Sequence, residues 1–127
     1  MKFLLDTHAF LWYLPRNPNL GSKAKEAIDT KTGLYFSIAS LWEISIKINL
    51  GKLHLNRPFQ DLRQELQYMN VQLLPIVFED TQLYANLPLH HRDPYLRILV
   101  AQAMNHSLVL ISRDGAFDAY QIQRLRS

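Results

Sequence analysis

Two short, wholly apolar runs, Phe3-Leu4-Leu5 near the start and Leu108-Val109-Leu110-Ile111 near the end, constrain the fold of this chain most. They are too brief for helices and lack polar alternation, so they read as strands covered on both faces, as in a parallel sheet. Leu34-Tyr35-Phe36 and Val71-Gln72-Leu73-Leu74 are weaker runs of the same kind. Helical patterns separate these runs. Ser22 to Thr30 opens on a serine cap and sets Ala24, Ala27 and Ile28 on one face, while Ile38 to Asn49 carries Leu41, Ile44 and Ile48 at helical spacing and stops near Gly51. Leu53 to Leu66 reads as a loop broken at Pro58 that leads into a short helix with Phe59, Leu62 and Leu66 on one side. Asp93-Pro94 is a helix start, with an apolar stripe of Leu96, Leu99, Val100, Ala103 and Met104 behind it. Strands alternating with helices imply right-handed crossovers and an α/β sandwich with a mostly parallel sheet. At 127 residues, with no internal repeat and no Gly/Ser linker, the expectation is one domain over residues 1–127.

The absence of cysteine removes disulfides and thiolate ligands, so a metal would have to be held by oxygen or imidazole. Asp6 and His8 interrupt the apolar start before it could serve as a secretory signal, and no apolar run is long enough to span a bilayer. A cytoplasmic protein without a membrane anchor is expected. The net charge of +3 and pI near 9.3 permit a polyanionic partner without demanding one, since Lys and Arg are spread along the chain.

In an open parallel sheet, ligands sit beyond the carboxyl ends of the strands. Asp6 directly follows the first run and Asp114 follows the last, so two segments far apart in sequence deliver acids to one rim. Taken singly, each is better explained as a helix or turn cap. Glu43 lies in a helix apolar around most of its circumference, which suggests burial, and a buried glutamate is paired or bound to metal. Lys47, four residues on, is the obvious pair. The N-cap role alone accounts for Asp93. Several carboxylates at one rim suit a hard cation such as Mg²⁺ or Mn²⁺, which relieves their repulsion and supports phosphodiester hydrolysis. The five histidines show no metal-ligand or catalytic-triad spacing.

Four segments, in order, are Leu4-Leu5-Asp6-Thr7-His8, Ser37 to Ile44 with Leu41-Trp42-Glu43, His91-Arg92-Asp93-Pro94-Tyr95-Leu96-Arg97 with Ala101-Gln102-Ala103, and Leu110 to Asp114. Together they resemble the successive motifs of PIN domains, especially the VapC-type toxins. The resemblance runs from Phe3 to about Tyr120. It implies a three-layer α/β/α domain, usually dimeric, that cleaves RNA with Mg²⁺ or Mn²⁺ and is neutralised by a VapB-like or Phd-like antitoxin. By position, it implies that Asp6 is the first metal ligand, Glu43 the second acid and Asp114 the acid after the late strand. Thr7, Ser40 and Arg97 become substrate-binding candidates. One position departs from the pattern. The family motif reads Asp-Pro-Phe-Asp-Arg with its second Asp at the metal site, whereas Leu96 stands there in this chain. Two readings follow: a single-strand-preferring endoribonuclease, with Asp93 as a substitute acid, or a PIN-fold module that binds antitoxin and RNA without cleaving. A haloacid-dehalogenase-like phosphatase starting at Asp6 is disfavoured, because that chemistry wants an acid where His8 stands.

Overall fold

The structure is a computed structural model that describes residues 1–14, 28 and 33–126. Five parallel strands form one sheet in the order β3-β2-β1-β4-β5, with β1 at Phe3–Leu5, β2 at Leu34–Ser37, β3 at Val71–Leu74, β4 at Val109–Ile111 and β5 at Arg124–Leu125. The expected mostly parallel sheet is parallel throughout. The helices are α1 (Thr7–Tyr13), α2 (Ile38–Asn49), α3 (Asp61–Tyr68), α4 (Phe78–Ala85) and α5 (Pro94–His106), with a short 3-10 helix over Gly115–Ala119. The helix expected over Ser22 to Thr30 lies outside the described residues except for Ile28, which is buried.

The period of two along each strand divides the interior into two cores, one on each sheet face. Leu5, Leu34, Phe36, Val71 and Ile111 meet Ala9 and Phe10 of α1, Ile44 of α2 and Leu62 and Leu66 of α3. The alternate residues Leu4, Leu74 and Leu110 meet Leu96, Leu99, Val100 and Ala103 of α5, together with Phe117 and Tyr120. Helices on both faces make the three layers.

Sequence and structure part company on α2. Its apolar composition suggested burial around most of its surface, yet only Ala39, Ser40 and Ile44 are buried, and Trp42 is 61% exposed. Helix α4 and strand β5 were not expected either. Helix α4 is held by Asp80, a fully buried carboxylate that accepts from Val77 N (2.9 Å) and Asn105 Nδ2 (3.0 Å) and lies 3.2 Å from His106 Nε2. These bonds satisfy the buried carboxyl oxygens and tie the start of α4 to the end of α5.

Strands β2 and β3 lie on one side of β1, and the chain then crosses to β4 on the other. The sheet therefore reverses its winding between β1 and β4, and the crevice beyond their carboxyl ends is where such folds place ligands.

Candidate active site

The β1–β4 register pairs Leu5 with Ile111, and one step beyond the strand ends it brings Asp6 beside Ser112. Ser112 Oγ, fully buried, donates to Asp6 Oδ2 at 2.8 Å. Asp6 Oδ1 accepts from Thr7 N at 2.7 Å and so caps α1. Thr7 Oγ1 donates to Glu43 Oε1 at 2.9 Å, and Glu43 Oε2 lies 3.0 Å from Lys47 Nζ. Asp6, Thr7 and Glu43 are thereby linked across two helices, with the Glu43 side chain only 12% exposed. Glu43 pairs with Lys47, as its spacing suggested, and it also accepts from Thr7 beside Asp6.

Burial is the main cause that raises the Asp6 carboxyl above its ordinary 3.8, and repulsion from Glu43 adds a smaller push in the same direction. The Ser112 hydrogen bond, the neighbouring His8 and the Thr7 amide act against it. A carboxylate that is costly to ionise, beside a second acid, is a place where a cation lowers the free energy.

Asp114 reaches this network through its backbone. Its N–H donates to Ser112 Oγ at 3.0 Å, while its exposed carboxylate caps the 3-10 helix by accepting from Ala116 N at 2.9 Å. The loop is braced by Arg124 of β5, whose Nη1 donates to Ser112 O at 2.9 Å while Nε and Nη2 bind Asp118. Among the described residues, no three His, Cys, Asp or Glu side chains are grouped to hold a metal ion. Asp6 and Glu43 are joined through Thr7, whereas Asp114 meets them through its backbone N–H and uses Oδ1 for its own cap. What does fit a hard cation is the all-oxygen donor set of Asp6 and Glu43. Ser40, one turn before Glu43 on the same side of α2, has a buried Oγ without a hydrogen-bond partner among the described residues.

Asp93 caps α5 by accepting from Tyr95 N at 2.9 Å, and its own N–H donates to His91 Nδ1 at 3.1 Å. Leu96 is 5% exposed and packs in the second core with Leu4 and Leu99. Arg97 is employed away from the acids: its guanidinium lies 4.6 Å from the Tyr84 ring centre and donates to Leu87 O at 3.2 Å. Arg97, a substrate-binding candidate by the resemblance, here braces α5 against α4 and the segment after it.

Ser112 is the residue that sequence reasoning passed over. The available signal was a hydroxyl directly after an apolar strand, the same context as Ser37 at the end of β2. Ser112→Ala is expected to raise the Asp6 carboxyl further, because it deletes the strongest of the bonds that hold it down, and to cost about 1 kcal/mol of stability. NMR titration of the Asp6 carboxyl together with urea unfolding checks both. An unmoved Asp6 midpoint overturns the positioning role given to Ser112.

Acids and buried hydroxyls collected at the winding reversal of an all-parallel α/β sheet define the class: an α/β domain whose rim is suited to a hard cation. The chain belongs to the PIN domain family, whose model matches residues 3–123. No curated protein sequence matches it significantly. Solved structures share the fold at low identity. VapBC2 from Rickettsia felis, bound to a DNA fragment from its promoter, is similar at 13% identity and TM-score 0.75, over 99% of this chain and 98% of that one. DNA-bound VapBC from Salmonella typhimurium gives 19% and 0.70, over 99% and 98%. FitAcB from Neisseria gonorrhoeae gives 20% and 0.68, over 97% and 96%.

Proposed function

We propose that this chain is a Mg²⁺- or Mn²⁺-dependent endoribonuclease that acts as the single-domain toxin of a toxin–antitoxin pair. The observation that carries the reading is the linked set Ser112, Asp6, Thr7 and Glu43 at the β1–β4 crevice. Asp6 and Glu43 would hold the cation, with Asp114 as the further acid. Bound there, a divalent cation activates water and offsets the negative charge that builds on a phosphodiester. The protein's own part is to hold Asp6 in one orientation through Ser112 and Thr7, to hold Glu43 between Thr7 and Lys47, and to offer the Thr7 and Ser40 hydroxyls to substrate. Asp93 lies at the N-terminal end of α5, where backbone amides favour a phosphate. Similarity to chains of VapBC and FitAB complexes supports an antitoxin partner, VapB-like or Phd-like, and we extend the reading to a cytoplasmic homodimer. No helix among the described residues is long and apolar enough to cross a membrane.

A second reading, a PIN-fold module that binds antitoxin and RNA without cleaving, is favoured by one observation: Leu96, where the family pattern has an acid, is part of the core. Incubating the purified chain with single-stranded RNA in Mn²⁺, in Mg²⁺ and in EDTA tests both readings. The nuclease reading expects cleavage with either metal and none in EDTA. RNA binding without cleavage under every metal condition would leave the second reading standing, and cleavage undiminished by EDTA would overturn the metal assignment.

A further inference from the structure

We infer that Trp42 and Tyr95 form a stacking platform for one unpaired base of the RNA, which makes them specificity-determining residues; the inference rests on the nuclease reading above. Helix α2 packs on one face of the sheet and α5 on the other. Trp42 stands in the second turn of α2, which starts at the carboxyl end of β2, and Tyr95 in the first turn of α5, which runs back toward the start of β4. Both therefore lie toward the carboxyl edge of the strands, the edge that carries Asp6 and Ser112. Their rings meet: the ring centres of Trp42 and Tyr95 are 5.8 Å apart in an edge-to-face arrangement at 73°. That contact restricts the indole while leaving it largely open to solvent.

Acids adjoin the platform in sequence on both sides. Trp42 directly precedes Glu43, about 100° round the same helix. Tyr95 sits in the first turn of α5, two residues after Asp93. A base on the indole therefore places the next phosphate of its strand over the rim and near the amides that open α5. Trp42 also forms one wall of a cavity of about 550 Å³, together with Leu41, Phe59 and Leu73. Gln60 and Arg63 stand at the same cavity, and Arg63 has no ion pair among the described residues. A nucleobase has apolar faces and a polar edge and hangs from an anionic backbone, so it uses the ring walls, Gln60 and Arg63 together. An aliphatic helix from a protein partner would use only the walls. A duplex keeps its bases stacked inside and cannot present one to the indole, so the platform selects single strands.

The test uses the full chain in EDTA, with a fluorescein-labelled 2′-O-methyl 12-mer as single strand and as duplex. Anisotropy is expected to show that Trp42→Ala weakens single-strand binding by about tenfold. Trp42→Phe should keep most of the affinity, and duplex binding should be weaker and indifferent to either change. In a Trp12→Phe background, where Trp42 is the remaining tryptophan, the single strand should quench its emission and the duplex should not. Sedimentation of the parent and Trp42→Ala proteins at matching concentrations reads self-association. If the parent binds the single strand, but Trp42→Ala binds it equally and the emission does not move, the platform is overturned and the nuclease reading survives. If Trp42→Ala instead splits a dimer into monomers with RNA affinity unchanged, the face belongs to a second copy and the inference fails. A parent that neither binds nor cleaves RNA sinks the nuclease reading and the platform with it.

Discussion

Asp6→Asn is expected to remove metal-dependent RNA cleavage, by about a hundredfold to a thousandfold, and at the same time to raise the melting temperature of the metal-free protein at neutral pH. The loss follows from taking a negative charge out of the pair formed with Glu43. The gain follows from linkage. Burial raises the Asp6 carboxyl in the folded state, so folding favours its protonated form, and at neutral pH the ionised carboxylate weighs against the fold. Asparagine carries no such burden. Its oxygen still accepts from Thr7 N, and its amide can donate to Ser112 Oγ once that hydroxyl turns. The stabilisation should be full above the raised folded pKa and should fade as the pH falls toward the ordinary 3.8, where the parent carboxyl is itself protonated. Mn²⁺ should raise the melting temperature of the parent and leave that of Asp6→Asn where it was. Thermal melts from pH 3 to 8, with and without Mn²⁺, check every part of this; a variant that melts lower than its parent at pH 7 shows that Asp6 is structural.

Leu96→Asp is expected to have the largest effect on stability. The substitution removes a nearly buried leucine from the second core and sets a carboxylate among Leu4, Leu99 and their neighbours. Losing the apolar contacts and burying the new charge should cost about 3 kcal/mol or more in EDTA, a fall of roughly 10 °C in melting temperature for a chain of this size. Strand geometry makes the position informative. Residues alternate faces along β1, so Asp6 continues on the Leu4 side, and Leu96 packs against Leu4 from that same side. An acid at position 96 thus lies in the same layer as Asp6, and Mn²⁺ should return much of the lost stability while increasing RNA cleavage. Mn²⁺ titrations followed by melting and by cleavage separate the outcomes. A variant that is destabilised equally with and without Mn²⁺, and cleaves no faster than the parent, shows that position 96 is core and nothing else.

The parts of this protein that could be read from residue order are those that local rules decide. Phe3 to Leu5 and Val109 to Ile111 form strands because short apolar runs in a parallel sheet are covered on both faces. Asp93 and Pro94 start α5 because the cap and the fixed backbone angle of proline act within a few residues. Helix α4 was hidden because its anchor, Asp80, has partners 25 and 26 residues away. Strand β5, two residues long, is too short to show a period. At the rim, Asp6 and Glu43 could be picked out as types and as positions, but their connection through Thr7 depends on how α1 meets α2. Asp114 was read as both cap and ligand, and the structure shows the cap, made through Oδ1. Apolar periodicity misjudged α2 most plainly, because it registers that Trp42 is apolar and cannot register that the described fold leaves most of its ring uncovered.

The oxygen that steadies Asp6 belongs to a residue 106 positions later in the chain. A ribosome lays down the first acid early and the strand that fixes it late, with an interval of roughly 5 to 20 seconds at ordinary rates of synthesis. During that interval β1 has no β4 beside it, so the crevice between them does not exist and Asp6 lacks the Ser112 hydroxyl that orients it. On the nuclease reading proposed above, a growing chain would be harmless to the transcript being translated. The site would be completed only when the late strand docks, so strand order would act as a delay between making the chain and arming it.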